Sequence, residues 1–185
     1  MLLGAIAPAF KAQATTVVAL SDDNLTSMAS HIVHGVIESV EPVHVSDAVI
    51  LTRVSLRVKT WLKSDGDTPE TFEFYTRGGT IGEITQTIPG DMQPVTGTEV
   101  VVFLERIPRF NNVPMLLGLL QGAFFVEQPN MSTSDLQKQR RVAQKLGELH
   151  IHRAIGTPDS DFARAQSLGE LLDKIRSRIS DGGKP

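Results

Sequence analysis

The sequence predicts a mainly β fold, a small antiparallel barrel or sandwich that opens with a short helix and closes with C-terminal helices. Three observations lead there. Up to residue 127, short segments of period-two alternation are separated by turn-forming residues. One segment, Glu99 to Leu104 (EVVVFL), is apolar at nearly every position, as in a strand buried on both faces. Beyond Gln128-Pro129-Asn130 the apolar period lengthens to that of a helix. The 185 residues, 41% hydrophobic before glycine is counted, suffice for one domain and an extension.

The N-terminal run Leu2 to Phe10 is too short to span a bilayer. Ala12-Gln13-Ala14 follows it, the small-x-small pattern at which a secretory signal is cut. Residues 1–14 are therefore expected to be a signal-peptide remnant truncated at its start, since no basic segment precedes Leu2. An apolar terminal strand or helix of a cytosolic protein is the competing reading. Ser21 is a good N-cap, with Asp22 and Asp23 in the first turn and Leu20 and Leu25 at staple positions. A short β-branched strand is expected over Ile32 to Ile37.

In the next strand, Ile50, Val54, Leu56 and Val58 alternate with Leu51, Arg53, Ser55, Arg57 and Lys59, which predicts one buried and one polar face. Thr71 to Tyr75 alternates in the same way. Leu116 to Leu120 and Ala123 to Val126 form two strands or one bulged strand around Gln121-Gly122. A helix is predicted from a Ser134 cap to about Leu149. A second follows the capping box Ser167-Leu168-Gly169-Glu170, with Leu168, Leu171, Leu172, Ile175 and Ile179 on one stripe. The expected domains are thus a β domain over 15–127 and a helical extension over 128–185 packed on it.

The net charge of −3 hides a division. Residues 1–127 hold 8 basic and 14 acidic residues, a net −6; residues 128–185 hold 10 and 7, a net +3. The absence of cysteine excludes disulfides, thiolate zinc sites and a cysteine nucleophile. An acidic β domain with few aromatics argues against nucleic acid. Arg53, Arg57, Lys59 and Lys63 read as the solvated face of one strand. No segment is long and apolar enough to be a transmembrane helix.

Candidate chemistry is sparse, and no cofactor is expected. His150-Ile151-His152 would place two rings on one face of a strand, making them the metal candidates, though a third ligand is not signalled. His31 and His34 fall on opposite faces of a strand and read as solvated. His44-Val45-Ser46-Asp47 is the only compact Ser/His/Asp cluster, in a turn where such residues are ordinary. Arg77-Gly78-Gly79-Thr80-Ile81-Gly82 is the most unusual stretch. It reads either as an anion-binding nest, with Arg77, Gly78, Gly79 and Gly82 as binding residues, or as a tight strand-to-strand crossover.

The segments ATTVVALSDDNLTSMASHIVHGVIESVE, GGTIGEITQTIPGDM, GTEVVVFLER and GLLQGAFFV occur in that order. Together they resemble an uncharacterised family of exported bacterial proteins, and more loosely the netrin/tissue-inhibitor-of-metalloproteinase type of OB barrel. The resemblance implies a small OB-like antiparallel β-barrel, export to the periplasm or medium, and a mature start near Thr15. It implies no activity. Those inhibitors act through an N-terminal cysteine that chelates the protease zinc, which this chain lacks. The expected function is a non-catalytic, exported binding or envelope-associated module for an unknown protein or envelope ligand. The alternatives are a metal-dependent hydrolase using His150 and His152, and a protease inhibitor acting through loop 77–91.

Overall fold

The computed structural model describes residues 16–46, 48–127, 140–146, 150–152, 160–165 and 167–181. The expected signal remnant and the Ser134 cap lie outside them. Strand β1 (Thr16–Val18) leads into α1 (Asp22–Met28), whose N-cap Ser21 accepts the Asn24 amide as expected. Leu20 and Leu25, the staple pair, pack into one core cluster.

Two long antiparallel strands follow, β2 (His31–Ser46) and β3 (Val49–Lys63), then β4 (Thr71–Arg77). The hairpin β5 (Gly79–Ile81) and β6 (Ile84–Gln86) precedes β7 (Glu99–Ile107) and β8 (Val113–Leu116). Next come β9 (Ala123–Val126), β10 (Val142–Ala143) and β11 (His150–His152), and α2 (Leu168–Ser180) comes last. The fold is mainly β, organised on a seven-stranded sheet ordered β10-β9-β7-β2-β3-β4-β8. β8 also pairs with β7, so the pairings β7-β2-β3-β4-β8 return to their start. This is not a clean barrel, because β4 and β8 share the single parallel pair Tyr75↔Met115 and β9 and β10 extend the sheet past β7.

The core has two halves, and β7 belongs to both. Val101 and Phe103 face one cluster with Leu25, Phe124, Phe162, Leu171 and Ile175. Val100, Val102 and Leu104 face the other, with Val33, Val54, Leu56 and Phe74. That is the strand buried on both faces that EVVVFL predicts. α2 begins at the predicted cap, where the Ser167 hydroxyl accepts the Glu170 amide. Its predicted stripe lies in the first cluster.

Four expectations are corrected. Leu51 is buried along with Ile50 and Thr52, so the polar face of β3 begins only at Arg53. The strand expected at Ile32 to Ile37 runs on to Ser46, its register shifts bending it without ending it. Within the helix expected to reach Leu149, Val142–Ala143 is extended, since it pairs with the edge of β9; residues 134–139 and 147–149 lie outside the described residues. The strand expected at Leu116 to Leu120 ends at Leu116. The chain then turns through Gly118 (φ 62°) into a 3-10 turn over Leu119–Gly122. A Cβ on Gly118 would stand 2.4 Å from Leu20 Cδ1.

Candidate functional site

The histidines of β2 are not solvated. His31 and His34 are 2% and 4% exposed. They do fall on opposite faces, and each is the centre of a charged group assembled from distant segments.

His31 stacks among Trp61 and Phe72, with ring centroids 6.0 and 5.0 Å away. Its Nδ1 lies 2.8 Å from the Ser30 hydroxyl, and its Nε2 lies 2.9 Å from Asp65 Oδ1. Arg106 clamps the Asp65 carboxylate with two hydrogen bonds of 2.7 and 2.9 Å, and donates a third at 3.1 Å to the Asn112 carbonyl. Burial lowers the His31 pKa below its usual 6.5, opposed by Asp65 and helped by Arg106. The hydrogen bond from Arg106 holds Asp65 below the usual carboxylate range.

On the other face, His34 Nε2 lies 2.7 Å from Glu99 Oε1. The same oxygen takes Lys59 Nζ and Arg140 Nη1, each at 2.9 Å. Burial alone would raise the Glu99 pKa. Hydrogen bonds from Lys59 and His34, with the charges of Lys59 and Arg140, outweigh it and hold the carboxyl below its usual 4.5. Burial likewise lowers His34. Its Nδ1 is buried without a partner among the described residues. Arg140 comes from the C-terminal segment, so this group ties that segment to the sheet.

The Arg77–Gly82 stretch turns β4 into the β5–β6 hairpin. The Arg77 amide donates to Asp91 Oδ2 at 2.9 Å and the Gly78 amide to the Ile50 carbonyl at 2.9 Å. Two N–H groups of the anticipated nest therefore have internal partners. The Arg77 guanidinium stands 3.4 Å from the same Asp91 carboxylate, whose pKa burial raises. Gly78 has φ 86°, and a Cβ there would stand 2.3 Å from the Gln86 carbonyl oxygen. Gly79 backs onto Thr52, Pro42 and Ile50, while Gly82 sits in open space at the hairpin tip. The crossover requirement thus accounts for Gly78 and Gly79.

His150 and His152 occupy β11, which pairs in parallel with β1, and the His152 side chain is exposed. Among the described residues, no three histidine or carboxylate side chains come together as metal ligands. His44 is exposed on the β2–β3 ribbon, and Asp47 lies outside the described residues. The basic residues of β3 face acids: Arg53 pairs with Glu41, Arg57 with Glu38 and Lys59 with Glu99. Lys63 instead donates to the Thr26 and Ser27 carbonyls at the end of α1. No described helix is long and apolar enough to cross a membrane.

Sequence reasoning missed Glu99, Asp65, Asp91 and Arg106, whose charged or histidine partners lie 14 to 75 residues away. The one usable signal was Glu99 itself, an acid opening an otherwise apolar buried strand. The chain matches no protein-family profile and no curated protein.

Proposed function

We propose that the chain is an exported binding module on an OB-like barrel, with the C-terminal segment as its outer layer. The circuit β2-β3-β4-β8-β7, with β4 and β8 parallel, supports the OB-like reading. Export rests on the apolar run Leu2 to Phe10 with the Ala12-Gln13-Ala14 triplet.

The observation that carries binding is a projecting lobe. β2 pairs with β7 only from His31 to Val36, and beyond that its ladder is with β3 alone. The β5–β6 hairpin docks on this ribbon, where the Gln86 side chain accepts the Ile50 amide and donates to the Ala48 carbonyl. The lobe exposes Val45 by 46% and Ile84 by 60%, apolar side chains of the kind a protein partner covers. Inhibition of a protease through residues 77–91 is the narrower form of this reading.

The test is site-specific photo-crosslinking from position 84 in envelope extract. A discrete adduct that disappears when Val45→Asp is added to the probe-bearing chain, while a probe at exposed Gly66 gives none, supports the reading. Equal yields from both positions refute it. N-terminal sequencing of the native protein decides export, with a start near Thr15 expected. The extended backbone of β11 favours a second reading, a metal-dependent hydrolase using His150 and His152. Stoichiometric zinc that is lost in His150→Ala would replace the first reading with this one.

A further inference from the structure

Ser30, His31 and Asp65 form a hydrogen-bonded chain that binding does not use. The order is hydroxyl, imidazole, carboxylate, with contacts of 2.8 and 2.9 Å, and Arg106 grips both carboxylate oxygens.

The proton positions follow from the partners. Two groups approach Nε2: Asp65 Oδ1, which only accepts, at 2.9 Å, and Arg106 Nη2, which only donates, at 3.4 Å; the shorter contact is the stronger one, so that ring nitrogen carries a hydrogen toward Asp65. Nε2 is thus the donor, and in the neutral ring Nδ1 is the acceptor. The Ser30 hydroxyl can supply the hydrogen that Nδ1 needs. The other acceptor within reach of that hydroxyl is the Leu104 carbonyl at 3.1 Å, which already takes the Ser30 amide at 2.7 Å. Trp61 and Phe72 hold the imidazole plane. Ser30 itself remains partly exposed, at the link between α1 and β2.

This is the arrangement that activates a serine: a nucleophile in contact with a base that a third group orients. It is defined by geometry and roles, not chain order. Here the ring is turned end for end, so that Nδ1 faces the serine.

We propose that Ser30 is a nucleophile for acyl transfer from carboxylic esters, with His31 as its general base and Asp65 as the carboxylate that positions His31. The Ser30 Oγ–C bond forms as the hydroxyl proton passes to Nδ1. The ester C–O bond then breaks, and the alcohol leaves with that proton. Water, giving a proton to the freed Nδ1, hydrolyses the acyl-serine and restores the hydroxyl, so ester and water become acid and alcohol. This goes beyond the binding reading and does not depend on it.

The test is labelling of the full chain with a fluorophosphonate, which forms an Oγ–P bond as fluoride leaves, followed by peptide mass mapping. One adduct on Ser30 is expected, and it should be absent in Ser30→Ala. His31→Gln should slow labelling by about 10²-fold or more, the share ordinarily supplied by general base catalysis. Asp65→Asn, at the exposed rim, should slow it as well. The labelling rate should fall with acidification below pH 6.5, where Nδ1 takes up a proton. An unlabelled Ser30 in wild-type protein that melts cooperatively overturns the proposal, whatever the folding of the variants. So does labelling of a folded Asp65→Asn at the wild-type rate.

Discussion

Leu171 and Leu172 are neighbours on α2 with unequal surroundings. Leu171 is fully buried among Phe103, Phe124 and Phe162, whereas Leu172 only flanks that cluster. The three rings lie 5.8, 5.8 and 6.3 Å apart, so the wall facing Leu171 is rigid and cannot collapse into a cavity. Leu171→Ala should therefore cost about 3–4 kcal/mol, in the middle to upper part of the usual range for such truncations. Leu172→Ala should cost about 1 kcal/mol, for the area it half covers. For a chain of this length the first loss is a fall in melting temperature of roughly 10 °C. The assay is urea unfolding followed both by circular dichroism and by fluorescence of the single tryptophan, Trp61, which packs against the other core cluster. Because β7 joins both clusters, the two signals should move together. Equal effects of the two substitutions, or a Leu171→Ala loss below about 1 kcal/mol, would refute the seating of α2 on the sheet.

Glu99→Ala strands Lys59, Arg140 and His34 around a vacated carboxylate. It should cost about 2–4 kcal/mol in urea unfolding at pH 7.5, because the two longer cations can partly turn to water; a loss under about 1 kcal/mol sinks the buried-cluster account. His31 and His34 both have folded pKa values below 6.5, so the unfolded chain takes up protons first as pH falls. Stability is then whole above about pH 6.5 and declines toward pH 5; Glu99 extends the decline below 4.5, and Asp91, with its raised pKa, opposes it. Urea midpoints at pH 7.5, 6.5 and 5.5 check this, and a flat or inverted series contradicts it. A Cβ on Gly35 would stand 2.4 Å from the Arg57 carbonyl oxygen, while Gly66 and Gly169 face open space. Gly35→Ala should cost about 1–3 kcal/mol and Gly66→Ala little. Gly169→Ala should raise stability by about 0.5–1 kcal/mol through helix propensity, and melting curves rank the three.

Local signals were legible where the physics is local. Ser21 and Ser167 sit at their caps because a hydroxyl three residues before a free amide is written in the sequence. β7 was legible because five successive apolar residues leave no polar face. α2 was legible because its stripe is complete. The histidines failed for the opposite reason. Polar spacing at His31 and His34 resembles a wet face until Glu99 and Asp65 arrive from elsewhere in the chain. Val142–Ala143 failed because a helical period was the only local cue, whereas the edge of β9 decided the conformation. The candidate serine was invisible for the same cause: its carboxylate lies on the loop after β3.

The first elements of the chain are held by the last. β1 pairs with β11, Asp22 accepts from Ser160 and Asp161, 138 and 139 residues on, and Asp23 meets Arg178, 155 residues on. None of these contacts can form until the chain has been synthesised through residues 150 to 178. At about 5–20 residues per second, α1 waits several seconds or more for its partners, and closing such loops slows folding further. Under the export proposed above, such a delay suits a translocation channel, which needs an unfolded substrate.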